Sequence, residues 1–271
     1  MEAATRGPST VTAAPGTGET TAPFTLGPTL HDARVTVVLL HGFTGSPWEL
    51  RPLGEALAAR GARVVCPRLP GHGTTPEAML WATHHEWLAA AQDTLEAQRG
   101  ARRLVVAGLS MGALLAMIVT ARRTVRVDGL VLMAPVLGVQ GRGPRALRAL
   151  RFLPVAGLLD RWVIKDGTDI EDAEVRARSP ILPRYPLARA LDLFDLQDLA
   201  RDASNRLCVP TLVVSAVNDH VVDVGEVRAL AQRLPMARLV ELQRGFHIIP
   251  RDVDRAIALT EIAHFVDTVA A

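Results

Sequence analysis

From Arg34 onward two hydrophobic rhythms alternate along the chain. Residues 35–40 (VTVVLL) form an unbroken apolar, largely β-branched run, the pattern of a strand covered on both faces in a parallel sheet. Residues 63–66, 104–107, 130–133, 211–217 and 238–242 are similar strand-like runs. Between them the apolar positions fall three or four apart: Leu50, Leu53 and Leu57 before Gly61, Trp87, Leu88, Ala91 and Leu95 before Gly100, and Ala258, Ile262, Phe265, Val266 and Val269 near the C-terminus. That spacing lines one side of a helix, and residues 113–121 also suit a helix. Ser46, with Pro47 just inside it, reads as the cap of the first helix. Such repetition predicts an α/β fold, a mostly parallel central sheet flanked by helices.

The alternation stops between Gly138 and Arg206. Stretches 146–162 and 187–200 read as helices, with Pro180, Pro183 and Pro186 between them. Residues 138–206 are therefore expected to form a helical cap inserted into a core built from 24–137 and 207–271. Arg142, Arg145, Arg148 and Arg151 recur every third residue, while Leu147, Leu150, Leu158 and Trp162 supply an apolar side. The arginines read as a solvated face of the cap rather than one that meets anionic lipid. Residues 1–23, rich in Thr, Ala, Gly and Pro, read as a disordered arm that lacks the basic start and apolar stretch of a secretion signal.

Composition narrows the function. Apolar residues make up 49% and charged residues 21% of the 271 positions, enough for a sizeable core. The formal net charge is +2, and Lys165 is the only lysine. No basic block is interleaved with aromatics, which argues against a nucleic-acid partner. Cys66 and Cys208 are too few for a disulfide framework and lack metal-ligand spacing. No apolar run approaches the roughly 20 residues of a membrane helix. A cytoplasmic protein without metal or cofactor is expected, and nothing in the chain specifies an oligomeric state.

Candidate chemistry centres on Gly108-Leu109-Ser110-Met111-Gly112, which follows a strand-like run and leads into a helical one. A serine on such a turn is presented as a nucleophile, and the flanking glycines allow the backbones to crowd together. A serine hydroxyl needs a base, and the base needs an orienting acid. Three histidines follow: His220, His247 and His264. His264 lies within a helix and His220 adjoins the leading acid, so His247, just past the run ending at Leu242, is the candidate base. Asp219, directly after a strand-like run, is the candidate acid, with Asp223 in reserve. The backbone N–H groups of Met111 and Phe43 are the candidate oxyanion donors. His41 and His72 read as loop braces, and His84 and His85 carry no metal spacing.

Together, the segments 39–46 (LLHGFTGS), 70–73 (PGHG), 107–112 (AGLSMG) and 245–247 (GFH) resemble the α/β-hydrolase superfamily. Within it the likeness is to small bacterial carboxylesterases related to monoacylglycerol lipases, and it runs from about Phe24 to the C-terminus. The resemblance implies an α/β-hydrolase fold with Ser110, Asp219 and His247 as the triad and Phe43 and Met111 as oxyanion donors. It also implies a small-molecule acyl ester substrate and no cofactor. Phe246 departs from the small or polar residue usual beside that histidine. The apolar cap and its short length point to short- to medium-chain acyl groups. A thioesterase, lactonase, C–C hydrolase or perhydrolase would share these motifs, and so would a ligand-binding relative that has lost turnover.

Overall fold

The computed structural model describes residues 20–141, 147–148 and 161–271. Seven strands form one sheet in the order β1 (Phe24–Leu26), β3 (Arg63–Cys66), β2 (Thr36–Leu40), β4 (Leu104–Leu109), β5 (Gly129–Met133), β8 (Thr211–Ala216) and β9 (Ala237–Leu242). All neighbours are parallel except β1, which pairs antiparallel with β3. The sequence pattern did not reveal β1, because three residues are too few to show a period. Of the arm read as 1–23, the stretch 1–19 lies outside the described residues, and Thr21 donates to the Gly73 carbonyl at 2.7 Å.

Successive strand residues point to opposite faces, and the unbroken apolar runs supply both layers. Val38 and Leu40 join the core with α2 (His84–Glu96), α3 (Met111–Arg122), α5 (Leu187–Ser204) and α6 (Val224–Arg233), whereas Val37 and Leu39 face α1 (Arg51–Ala59) and α7 (Arg255–Ala270). α3 is buried from Met111 to Ala121. A helix apolar on all sides needs cover all round, and α5 supplies it from outside through Leu193, Leu196, Ala200 and Ala203.

Two expectations are corrected. Ser46 makes no side-chain cap; a single 3-10 turn over Pro47–Leu50 precedes α1. Pro52 has no N–H to give the Trp48 carbonyl, so one continuous α-helix cannot form there. That carbonyl instead accepts from Arg251 Nε at 2.9 Å, with the guanidinium 3.9 Å above the Trp48 ring.

Residues 138–206, expected to form a helical cap, are also not wholly helical. β6 (Trp162–Ile164) and β7 (Arg184–Pro186) form an antiparallel ribbon, and α4 (Ala173–Ala177) is a short helix between them. Most of the stretch 146–162 lies outside the described residues, as do Arg142, Arg145 and Arg151, and Trp162 is in a strand. Trp162 and Arg184 carry that ribbon: the guanidinium stacks 4.6 Å from the indole. Among the described residues no helix is long and apolar enough to cross a membrane.

Candidate active site

Ser110 occupies the turn between β4 and α3 with φ 56° and ψ −114°, a conformation costly for any residue with a side chain. Close packing enforces it. A Cβ on Gly108 would lie 2.1 Å from the Gly112 carbonyl oxygen, and one on Gly112 would lie 1.9 Å from that of Leu40. Only glycine lets α3 press this tightly on β4 and β2. The Ser110 N–H is held by the Met133 carbonyl at 2.8 Å. Met111 opens α3, so its N–H belongs to the first turn, whose donors have no intrahelical acceptor.

The loop after β2 lies against the serine: a Cβ on Gly42 would be 3.5 Å from Ser110 Cβ. Glu49, buried under this loop, takes the Gly42 N–H at 3.0 Å, and a Cβ on Gly45 would fall 2.1 Å from that carboxylate, so a larger residue there would displace it. Phe43 comes next in the chain, and Thr44 is strained at φ 62°. His41, buried at the end of β2, accepts the Leu69 N–H through Nε2 at 3.0 Å and braces the loop. Burial is the main cause that lowers its pKa to about 3, so the ring is neutral. His72 Nδ1 meets the Pro70 carbonyl at 2.8 Å, and burial lowers that imidazole to about 4.

His247 and Asp219 meet. Nδ1 lies 2.7 Å from Asp219 Oδ2, so Nδ1–H donates to the carboxylate and Nε2 is left as acceptor. Asp219 Oδ1 accepts the N–H groups of Val221 and Val222 at 2.8 and 2.9 Å. Burial would raise this carboxyl, yet the imidazole and the two amides outweigh burial and hold it below its ordinary value. Burial would likewise lower His247, but the Asp219 charge and hydrogen bond, with Asp169 and Glu49 beyond, lift it above the usual imidazole value. The other candidates are occupied elsewhere. Asp223 caps α6 through the Gly225 N–H at 3.0 Å, His220 pairs with Asp169 at 2.8 Å, and His264 is exposed on α7.

Four consecutive N–H groups fix the His247 loop, each given to a carboxylate. Arg244 and Gly245 donate to Asp254 Oδ2 at 2.8 and 3.1 Å, Phe246 to Asp252 Oδ2 at 2.6 Å, and His247 to Asp169 Oδ2 at 3.3 Å. Sequence reasoning missed all three aspartates. The spacing of Asp252 and Asp254 soon after Pro250 was the only local sign of two of them.

Ser110, Gly42, Phe43, Glu49 and His247 line one cavity of about 430 Å³, with Lys165 and Asp169 from the cap. The rest of its wall is mainly apolar, including Val136, Tyr185, Leu187, Leu193 and Phe194. Glu49 and Lys165 are further residues that the sequence did not flag. Burial raises Glu49 to about 6 against the Gly42 N–H and the Lys165 charge. Burial also lowers Lys165 to about 8 despite Glu49 and Asp169. Elsewhere, His84, Asp192 and Asp195 bring ligand-type atoms within 4.8 Å of one another. Arg189 Nε, 3.1 Å from Asp192 Oδ2, already supplies a cation there. The arrangement around Ser110 brings together a hydroxyl and an imidazole oriented by a carboxylate on one mainly apolar cavity, parts that nucleophilic acyl transfer uses.

Comparison with known proteins gives a consistent picture. The family described as serine aminopeptidase, S33, matches residues 31–254. A thermostable monoacylglycerol lipase of Bacillus sp. (strain H-257) is 29% identical over 85% of this chain and 90% of its own. A carboxylesterase of Bacillus subtilis (strain 168) is 24% identical over 85% and 92%. A solved structure from the metagenome-derived lipolytic enzymes LipS and LipT superposes with a TM-score of 0.78 at 28% identity, over 92% of this chain and 98% of that one. The Saccharomyces cerevisiae monoglyceride lipase shares the fold at a TM-score of 0.78 and 14% identity, over 92% of both chains.

Proposed function

Because the chain belongs to the serine aminopeptidase S33 family of α/β-hydrolases, we propose that it is a serine carboxylic-ester hydrolase of the carboxylesterase or monoacylglycerol lipase type. Ser110 is the nucleophile, His247 the base and Asp219 the orienting acid, with the Phe43 and Met111 amides as oxyanion donors. The observation that carries this reading is the 2.7 Å contact between His247 Nδ1 and Asp219, facing the strained Ser110 across one cavity. His247 Nε2 removes the Ser110 hydroxyl proton as Oγ attacks the ester carbonyl. The two amides then stabilise the oxyanion in a water-poor site, each worth roughly two to three powers of ten in rate. The protonated imidazole passes its proton to the departing alcohol. In the second half it takes a proton from the water that attacks the acyl carbon and returns it to Ser110 Oγ as the acid leaves.

The cavity volume lies toward the small end of ligand sites, which run from roughly 300 to 1,000 Å³. Its apolar wall suits an acyl group of short to medium length. The two free thiols, Cys66 and Cys208, fit a reducing compartment and the cytoplasm.

A fluorophosphonate label followed by peptide mapping tests the reading. Modification should fall on Ser110, and Ser110→Ala should abolish labelling and lower ester turnover by roughly six powers of ten. Rates on p-nitrophenyl esters from acetate to palmitate should peak at short to medium chains. Labelling elsewhere overturns the nucleophile, and a maximum at palmitate overturns the chain length. Faster turnover of an aminoacyl p-nitroanilide than of any ester would move the substrate class to amides.

A further inference from the structure

The loop leaving β6, residues 165–169, reaches three of the four loops that carry the proposed chemistry, all but the Ser110 turn. Lys165 Nζ donates to Thr44 Oγ1 at 2.9 Å, and that hydroxyl donates to the Phe43 carbonyl at 2.6 Å. Four residues on, Asp169 Oδ2 accepts the N–H groups of His220 at 3.1 Å and His247 at 3.3 Å. The Asp169 carbonyl also takes the Ile248 N–H at 3.2 Å. His220 directly follows Asp219, so one carboxylate joins the acid loop to the base loop. We propose that residues 165–169 are a strap through which the cap sets the catalytic loops, with Lys165 positioning the oxyanion turn and Asp169 positioning the base. This rests on the Ser110–His247–Asp219 reading.

The physical need is specific. Thr44 adopts a left-handed conformation that a β-branched residue avoids, so the turn bearing the Phe43 amide holds its shape only while outside contacts fix it. The cap supplies two of them, the Lys165 bond to the hydroxyl and the Leu182 N–H to the Thr44 carbonyl at 3.2 Å. The protein's only lysine makes this contact, partly buried beside Glu49, which grips the same turn through Gly42. A misplacement of about 1 Å at such a donor costs roughly a hundredfold in rate.

At the other end, the charges that face His247 are Asp219, Asp169 and Glu49. Lys165 opposes the latter two, and His220 lies against Asp169. Removing the Asp169 charge therefore lowers the imidazole's proton affinity, an effect that a purely structural residue would not produce.

The experiment uses the full chain and p-nitrophenyl butyrate. Lys165→Met is expected to lower kcat about ten- to a hundredfold with KM within about threefold. Thr44→Ala, which removes the partner hydroxyl, should do the same, and the double variant should be no slower than the slower single variant. Asp169→Asn should move the acid limb of kcat/KM, and the NMR titration of the His247 ring, to lower pH. Wild-type kcat in Lys165→Met, additive losses in the double variant, or an unmoved His247 titration would overturn the strap. If Ser110→Ala keeps its ester turnover, the triad reading fails instead, and the His247 titration still decides the Asp169 arm because it needs no turnover.

Discussion

The two loops that present Ser110 and His247 reach the same cavity by opposite means. The serine turn is held by backbone pressed on backbone, at two positions where any side chain would collide with a neighbouring carbonyl. The histidine loop has no such crowding and is held by three carboxylates taking four successive N–H groups. Steric fixation is written into adjacent residues, so a short motif announces it. Fixation by carboxylates brings in residues from the cap and from beyond the loop, and only the fold shows which ones.

This contrast orders the consequences of substitution. The largest effect should come from Gly112→Ala, whose methyl meets the rigid Leu40 backbone. It is expected to cost about 4 kcal/mol, or roughly 10 °C in Tm. Gly61→Ala, at φ 85° with nothing near the added carbon, should cost only about 1–3 kcal/mol. Thermal melts check both, and equal losses would show that crowding does not hold the elbow.

Asp252→Ala comes next. It strips the acceptor from Phe246, Glu171, Asp172 and Val253 N–H groups and is expected to lower kcat/KM about a hundredfold. Asp252→Asn, which keeps one acceptor oxygen, should fall between it and the parent. An Ala variant with parental kinetics would separate the base from its carboxylate frame.

Smaller effects follow from titration. His247 lies above the ordinary imidazole value and must be neutral to act, so the acid limb of kcat/KM should have its midpoint above pH 6.5. An unperturbed ring would put that midpoint at about 6.5. A midpoint at or below 6.5 would contradict the Asp219 and Asp169 contacts.

Glu49 titrates at about 6 in the fold against 4.5 ordinarily. Between those values the folded state holds the proton more tightly than the unfolded chain, so stability falls as pH rises through that window. The drop is about 2 kcal/mol. Glu49→Gln should flatten that slope in urea unfolding measured from pH 4.5 to 6.5, and a slope as steep as the parent's would remove Glu49 as its source.

The same distinction sets how much could be read before the structure. Strands buried inside a parallel sheet are apolar on both faces, so β2, β4, β5 and β8 stood out as runs, and the partly exposed β3 and β9 as shorter ones. The Ser110 turn was legible from its glycines. His247 and Asp219 were legible from their places after strands, and they do meet. β1 and the β6–β7 ribbon were not, because strands of three residues are specified by what they pair with. Lys165 showed only as an oddity of composition, and nothing in the sequence marked Glu49. Their significance comes from burial, which no local pattern encodes.

The double duty of α5 has an evolutionary consequence. The final helix of the 138–206 segment is also the outer wall of the apolar helix behind Ser110, so that segment is not separable from the core. Deleting α5, or replacing its inner apolar residues with polar ones, would strip α3 of its cover and destabilise the core along with the cavity wall. Of the cavity-lining residues in the insertion, those before Pro186, in the ribbon and the 165–169 loop, can therefore change with less cost to the core than Leu193 and Phe194 of α5.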